Sequence, residues 1–219
     1  MKTQINPEVI IIGKHSKLWS IVKNSVKYSY DEISYKNIIN FDIDRSYQLA
    51  IVFSYSKSEK ENAELFCALS KYVPKVLYIS STSVEYADNG YYYPYPRIKF
   101  FCENYLENKK IFKEVTILKL GLFPEIYWDD QERLFGEYNI STVEDFVNFL
   151  NQWTLNGSSN IKVTCKKSFK TSGNIEKTIR KVYRIVRGKN IVSYIVTRLL
   201  DIILKKIGYT WYGYSERLK

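Results

Sequence analysis

Val76-Leu77-Tyr78-Ile79 begins the stretch that decides the fold, and Ser80-Ser81-Thr82-Ser83 follows it directly. A helical pattern starts near Tyr95-Pro96-Arg97-Ile98-Lys99, and a second apolar run, Val115-Thr116-Ile117-Leu118-Lys119-Leu120, closes the stretch. Two apolar runs separated by a helix predict two parallel strands joined by a crossover helix. Ligands of open α/β sheets bind at the carboxyl ends of the strands. Ser81 is therefore expected at a ligand-binding edge of the sheet.

Tyr95 and Lys99 are four positions apart, so one helix would carry both side chains on the same face. A lysine ammonium close to a tyrosine favours the tyrosinate and lowers a pKa that starts near about 10. A tyrosine with such a pKa can act as a general acid or base. The chain has 20 Tyr, however, and the same spacing also suits an exposed pair on a solvated helix face.

The order of these elements resembles the extended short-chain dehydrogenase/reductase family, the nucleotide-sugar epimerases and dehydratases. The resemblance rests on the Ser-rich strand end, on Tyr95 and Lys99 with Glu103 further along the helix, and on the strand that follows. It extends over roughly residues 9 to 150. By this resemblance Ser81 is the family's catalytic Ser/Thr, Tyr95 its acid/base, and Lys99 the residue that tunes Tyr95 and contacts the nicotinamide ribose.

The resemblance also implies a cofactor and a substrate. The cofactor would be NAD or NADP, and the substrate a nucleotide sugar or a lipid-linked sugar used in surface polysaccharide biosynthesis. Hydride transfer to the nicotinamide would accompany removal of a hydroxyl proton by Tyr95.

The N-terminal run Val9-Ile10-Ile11-Ile12-Gly13 predicts a buried strand that ends in glycine, and helical spacing starts near Ser16. Gly13, Ser16 and Lys99 are the expected cofactor-binding residues. A dinucleotide-binding turn needs small residues, so that the backbone at the helix start approaches the pyrophosphate. Of the family's three glycines, only Gly13 is kept, and Trp19 stands where a glycine normally lets helix and strand pack closely. Either the cofactor sits differently or none binds.

Two departures from the family pattern keep a second class of function open. Residues 28–48 have room for one strand and a short turn or helix, and most of the family's sugar-binding subdomain is missing. A non-catalytic relative would keep the sheet as a scaffold or a binding module, whereas Ser81, Tyr95 and Lys99 favour an enzyme.

The fold class predicted from these patterns is α/β, with a Rossmann-like parallel sheet and flanking helices over residues 1–160. Asn156-Gly157-Ser158-Ser159-Asn160 is the expected linker, and residues 161–219 form a basic, amphipathic, helical C-terminal appendage. This appendage holds 15 Lys and Arg against three acidic residues, a net charge of +12 within a chain whose total is +10. The basic charge therefore belongs to the appendage.

Two helices are expected in the appendage, over Asn174 to Val186 and Asn190 to Ile207. The second is a poor membrane span because charged residues interrupt it, but it suits an interfacial helix, with Trp211 at headgroup level. An anionic membrane surface contacted by residues 190–214 and a second copy of the chain are the two partners considered. Nucleic acid is disfavoured, because the basic residues accompany a broad aliphatic face rather than an alternating basic and aromatic groove.

Three separated cysteines, Cys67, Cys102 and Cys165, indicate reduced thiols in a reducing compartment. No metal site is expected, because the single His15 has no ligand partners of a recognised spacing. The first apolar run is too short for a secretory signal. We therefore expect a cytoplasmic protein, with peripheral association at the inner face of the membrane if the appendage binds lipid.

Overall fold

The computed structural model describes residues 8–37, 46–53, 55–87, 94–127, 133–134, 136–156, 162–169, 173–186, 190–206 and 209–210. The strands are β1 (Val9–Ile12), β2 (Tyr30–Ile33), β3 (Leu49–Val52), β4 (Lys75–Ser81), β5 (Glu114–Leu120), β6 (Arg133–Leu134), β7 (Gly136–Ile140), β8 (Cys165–Phe169) and β9 (Tyr209–Thr210). The helices are α1 (Lys17–Val22), α2 (Glu59–Leu69), α3 (Pro94–Lys109), α4 (Pro124–Tyr127), α5 (Val143–Asn156), α6 (Gly173–Val186) and α7 (Ile191–Lys206).

Five strands form one sheet in the order β2-β1-β3-β4-β5. The ladders of β1 with β2 and with β3, and of β3 with β4, are parallel. β1 and β3 are buried along their whole length, as expected for inner strands covered on both faces. The prediction of a Rossmann-like α/β fold is confirmed.

The strand order reverses at β1, since the chain goes to β2 on one side of it and then to β3 on the other. The Rossmann strand order is 3-2-1-4-5-6. Without its outer strand 3, and with the remaining strands numbered consecutively, it becomes the order 2-1-3-4-5 seen here. Between β2 and β3 the described residues contain one short 3-10 turn, Tyr35–Asn37, and residues 38–45 lie outside the description. The point of reversal, outside the carboxyl ends of β1 and β3, is where open α/β sheets bind ligands.

Helices cover both faces of this sheet. One layer packs apolar side chains of α2 and α3 against every second residue of β1, β3 and β4. In the other layer, Trp19 of α1 contacts Phe53, whose ring contacts Phe146 of α5. Asn151 of α5 accepts a 2.8 Å hydrogen bond from the backbone amide of Lys27, which ties the end of this layer to the loop after α1.

The chain forms two compact units that alternate along the sequence. The first comprises Met1–Ser81, Ile98–Lys119 and Val143–Ile161, and the second Thr82–Arg97, Leu120–Thr142 and Lys162–Lys219. The predicted division into residues 1–160 and 161–219 stays a prediction.

In the second unit, β7 and β8 form an antiparallel pair, with Gly136 opposite Phe169 and Ile140 opposite Cys165. β6 pairs with β9, and Leu122 forms a parallel bridge to Ile140. α6 and α7 follow, close to the predicted bounds of the two appendage helices. Trp211, predicted at headgroup level, lies outside the described residues.

Candidate functional site

The turn after β1 is built around Gly13, which is buried and has a φ of 111°. This positive φ is one that glycine adopts without steric cost. The Gly13 amide donates a 2.8 Å hydrogen bond to the Ile33 carbonyl, and the Lys14 amide donates to the same oxygen at 3.2 Å. Ser16 then caps α1, since its hydroxyl accepts from the Trp19 amide at 3.5 Å. The turn therefore has the tight geometry expected from its glycine.

Trp19 is fully buried in the core between α1 and the sheet. Its indole Nε1 donates a 2.7 Å hydrogen bond to Glu32 Oε2, and its ring centroid lies 4.9 Å from Tyr30 and 5.3 Å from Phe53. A helix that carried glycine at this position would pack closely on the strand. Here the helix and the sheet enclose an indole instead.

The loop after β3 forms the other side of the point of strand reversal. Asn62 of α2 is fully buried and closes this loop. Its amide oxygen accepts from the Ser56 backbone amide at 2.8 Å, and its amide nitrogen donates to the carbonyls of Ser56 and Ser58, each at 2.8 Å. Tyr55 directly precedes this hydrogen-bonded loop.

Lys99 is the most deeply buried charged residue that the structure describes, with 3% of its surface exposed. Its Nζ donates a 2.7 Å hydrogen bond to the carbonyl oxygen of Ile79 in β4. The same atom lies 4.6 Å from the ring centroid of Tyr78 and 4.8 Å from that of Tyr55, within the range of cation–π attraction. Burial lowers the pKa of Lys99 to about 8, although the charges of Cys102 and Glu103 act in the opposite direction.

Glu103 lies one turn after Lys99 on α3 and is also buried. One carboxylate oxygen accepts a hydrogen bond from the Ser80 hydroxyl. The other forms a 3.0 Å ion pair with Nζ of Lys119 on β5, whose side chain is half-exposed. A buried carboxylate with both oxygens engaged is fixed in place.

The structure places the predicted catalytic residues as follows. Ser81 is the last residue of β4, is half-buried, and follows the Ile79 carbonyl by two positions. Tyr95 is the second residue of α3 and is half-buried; it belongs to the second unit, four positions before Lys99 in the same helix. Lys99 is brought against the carboxyl end of β4. The catalytic and cofactor-binding roles of these residues stay predictions.

Sequence reasoning missed the two rings next to Lys99, those of Tyr55 and Tyr78, and the two partners of Glu103, Ser80 and Lys119. A signal exists for two of them. Lys119 interrupts an apolar strand run, and Ser80 precedes the predicted catalytic Ser81. The spacing of Glu103, four positions after Lys99, indicates that these two side chains are neighbours on the helix.

No protein-family model matches the chain, and no curated protein matches it by sequence. Solved structures do match. The dTDP-glucose 4,6-dehydratase of Bacillus anthracis in complex with NAD has a TM-score of 0.51 at 10% identity, over 94% of this chain and 84% of that one. The reductase domain of the aureusimine biosynthetic cluster has a TM-score of 0.52 at 10% identity, over 96% of this chain and 87% of that one.

A third match is the capsular polysaccharide assembling protein CapF of Staphylococcus aureus, with a TM-score of 0.50 at 14% identity. It covers 74% of this chain, but the chain spans only 55% of CapF. At these identities the likeness concerns the fold. The chain thus has the Rossmann-like α/β fold of these solved structures, with a buried lysine at the carboxyl end of its fourth strand.

Proposed function

We propose that the chain is an oxidoreductase of the epimerase, dehydratase or reductase type, which uses NAD or NADP and acts on a nucleotide sugar or a lipid-linked sugar. The observation that carries the proposal is the position of Lys99. Its ammonium lies at the carboxyl end of β4, two residues before Ser81, and the same helix carries Tyr95 one turn earlier. The likeness to a dTDP-glucose dehydratase supports a nucleotide-sugar substrate, and the likeness to the capsular polysaccharide assembling protein CapF supports a substrate used in surface polysaccharide biosynthesis.

The residues of the β1 turn fit a dinucleotide. Gly13 has the positive φ of a tight turn, and Ser16 caps the helix whose start would face the pyrophosphate. The bulky Trp19 lies in the core, buried against Tyr30 and Phe53. Gly13 and Ser16 would hold the pyrophosphate side of the cofactor, and Lys99 the nicotinamide ribose. A bound nicotinamide supplies the hydride acceptor or donor.

Side chains of the protein would transfer the proton of the sugar hydroxyl. Tyr95 would take the proton of the sugar hydroxyl, and a neighbouring positive charge stabilises the tyrosinate that this requires. With a pKa of about 8, Lys99 is still mostly protonated at neutral pH and can supply that charge. The Ser81 hydroxyl would donate a hydrogen bond to the same substrate oxygen and orient it.

Glu103 helps to keep Lys99 charged despite its burial. The charges of Cys102 and Glu103 both raise the pKa of Lys99, against the larger lowering caused by desolvation. The contacts with Ser80 and Lys119 keep the carboxylate in position. Glu103 is therefore a positioning residue, which acts on Tyr95 only through Lys99.

A second candidate is a non-catalytic relative that uses the sheet as a scaffold or binding module. The observation that favours it is that the groups expected to bind a cofactor already form contacts within the protein. Lys99 already donates to the Ile79 carbonyl and is covered by the rings of Tyr55 and Tyr78, and the amides of Gly13 and Lys14 donate to Ile33. In such a relative these contacts serve stability alone.

Turnover assays with Tyr95→Phe distinguish the two candidates. The full chain is incubated with NAD or NADP and a panel of nucleotide sugars, and the reduced nicotinamide and the sugar products are measured. An enzyme should lose turnover in Tyr95→Phe by about a hundredfold or more, because only the proton-transferring hydroxyl is removed. Tyr105→Phe is the matched control and should keep turnover: Tyr105 lies on the same helix as Tyr95, and its hydroxyl contacts Cys67 of α2. Equal turnover in the two variants would contradict the role of Tyr95, and absence of turnover in the native chain would favour the scaffold.

A further inference from the structure

The second unit exposes an unusual amount of aliphatic surface. Among the described residues, ten large apolar side chains are exposed, and eight of them lie on α6 and α7. The seven that are most exposed, between 51% and 74%, are Ile185, Ile191, Val192, Ile195, Leu199, Ile202 and Ile203. Monomeric proteins rarely leave such a contiguous apolar face in water, because its burial elsewhere is favourable.

On α7 the aliphatic residues point outward as a group. Ile191, Ile195, Leu199 and Ile202 recur at helical spacing, so they share one face of the helix. The opposite side carries Thr197, which is fully buried and donates to the Ser193 carbonyl at 2.7 Å. The apolar face is therefore the outer face of α7, and the inner face is already occupied.

Positive charge surrounds this face. Lys206 is exposed on the same side of α7, where the exposed Arg198 also forms a 3.4 Å ion pair with Asp201. On α6, Lys177 and Lys181 are exposed to solvent beside Ile185. Residues 161–219 as a whole carry the net charge of +12. An aliphatic face bordered by cations matches the acyl chains and the anionic headgroups of a lipid surface.

A second copy of the chain is a poorer match. A two-fold interface pairs the same patch of both copies. The basic residues around the face would then lie close to the basic residues of the other copy, and like charges repel. Nucleic acid would neutralise the charge but would leave the aliphatic residues in water. Nor can α7 cross a bilayer: among the described residues, no helix is both long enough and apolar enough to span a membrane.

We propose that the outer face of α6 and α7 binds the surface of an anionic membrane, with α7 lying in the interface plane. The aliphatic side chains would enter the boundary between headgroups and acyl chains, and the basic residues would pair with lipid phosphates. This inference is independent of the proposed function, since it involves neither Tyr95 nor Lys99. A protein so bound would face substrates attached to lipids.

Vesicle flotation of the full chain tests the proposal. Vesicles of neutral phosphatidylcholine are compared with vesicles that also contain anionic phosphatidylglycerol. We expect flotation with the anionic vesicles, which weakens as salt is raised because salt screens the attraction. Flotation with neither kind of vesicle, or equal flotation with both, would overturn the proposal.

Ile195→Glu places a carboxylate on the outer face of α7 and should lower the partition onto anionic vesicles by about tenfold or more. Ile21→Glu is the matched control, because Ile21 is an exposed isoleucine on α1 in the other unit. It should leave flotation unchanged. Ile202→Ser repeats the test with a milder change, in case Ile195→Glu lowers the melting temperature. Unchanged flotation of the folded α7 variants, or a dimer of the native chain that the α7 variants dissociate, would contradict a lipid surface as the occupant of this face.

Discussion

The ammonium of Lys99 donates a 2.7 Å hydrogen bond to the backbone carbonyl of Ile79. This bond joins the middle of α3 to the carboxyl end of β4 across the core of the first unit. It also places a positive charge between the rings of Tyr55 and Tyr78, where water has little access. The carbonyl and the two rings stabilise the charge in place of water, but burial still lowers the pKa to about 8.

The first prediction concerns pH and the variant Lys99→Met. The pKa of Lys99 is about 8 in the folded chain and near the ordinary lysine value of 10.5 in the unfolded chain. Between these values the unfolded state binds more protons, so the free energy of unfolding rises with pH. Relative to Lys99→Met, the native chain should gain up to about 3 kcal/mol as the pH rises through this window, at about 1.36 kcal/mol per pKa unit.

Urea unfolding at about pH 7 and about pH 10 measures this difference directly. Subtracting the curve of Lys99→Met removes the contribution of the many tyrosines that titrate in the same range. A difference between native chain and variant that is the same at both pH values would mean that the ammonium is not desolvated.

The second prediction concerns the residue that replaces the family's third glycine. Trp19→Gly restores that glycine but empties a fully buried site, and deletion of a core aromatic ring costs about 3–5 kcal/mol. This cost is a large fraction of the stability of an ordinary domain, about 5–15 kcal/mol. Trp19→Phe keeps a ring and loses the bond to Glu32, so it should cost less. Thermal and urea unfolding compare the three proteins, and a small cost for Trp19→Gly would show that the indole is not a core element.

The third prediction concerns Gly121, at the end of β5 in the second unit. A Cβ atom here would lie 2.3 Å from the backbone oxygen of Asn139, and the backbone cannot move aside as a flexible side chain would. Gly121→Ala should therefore lower the free energy of unfolding by about 1–3 kcal/mol. It should also weaken the 2.9 Å bond from the Gly121 amide to the Ser141 hydroxyl. A free energy of unfolding equal to that of the native chain would contradict the close approach at Gly121.

Much of the fold could be predicted because the central strands are apolar without interruption. The apolar runs Val9 to Ile12 and Leu49 to Val52 predict buried strands, and Ser81 ends β4 as expected. β8 could not be predicted, because Cys165-Lys166-Lys167-Ser168-Phe169 has little apolar character. This segment becomes a strand through its pairing with β7, and a partner distant in sequence leaves no local pattern.

In the candidate site, too, the contacts within one helix could be predicted from the sequence, and the contacts between separate segments could not. Helical spacing predicts that Lys99 and Glu103 are neighbours, since that depends on α3 alone. The ion pair of Glu103 with Lys119 and the contact of Lys99 with Tyr55 depend on how separate segments meet in the fold. Trp19 is the clearest case: the glycine pattern marks it as an exception, and only the packing against Tyr30 and Phe53 gives the reason.

Calorimetric titration of the full chain with NADH and with NADPH tests the proposed function most directly. Binding should be saturable for at least one of the two. It should weaken about tenfold or more in Lys99→Met, because the ammonium that would contact the ribose is lost. Lys109→Met, an exposed lysine at the end of the same helix, should bind as the native chain does. The absence of binding heat for either nucleotide up to millimolar concentration, with the native chain folded, would contradict the redox function and leave the scaffold.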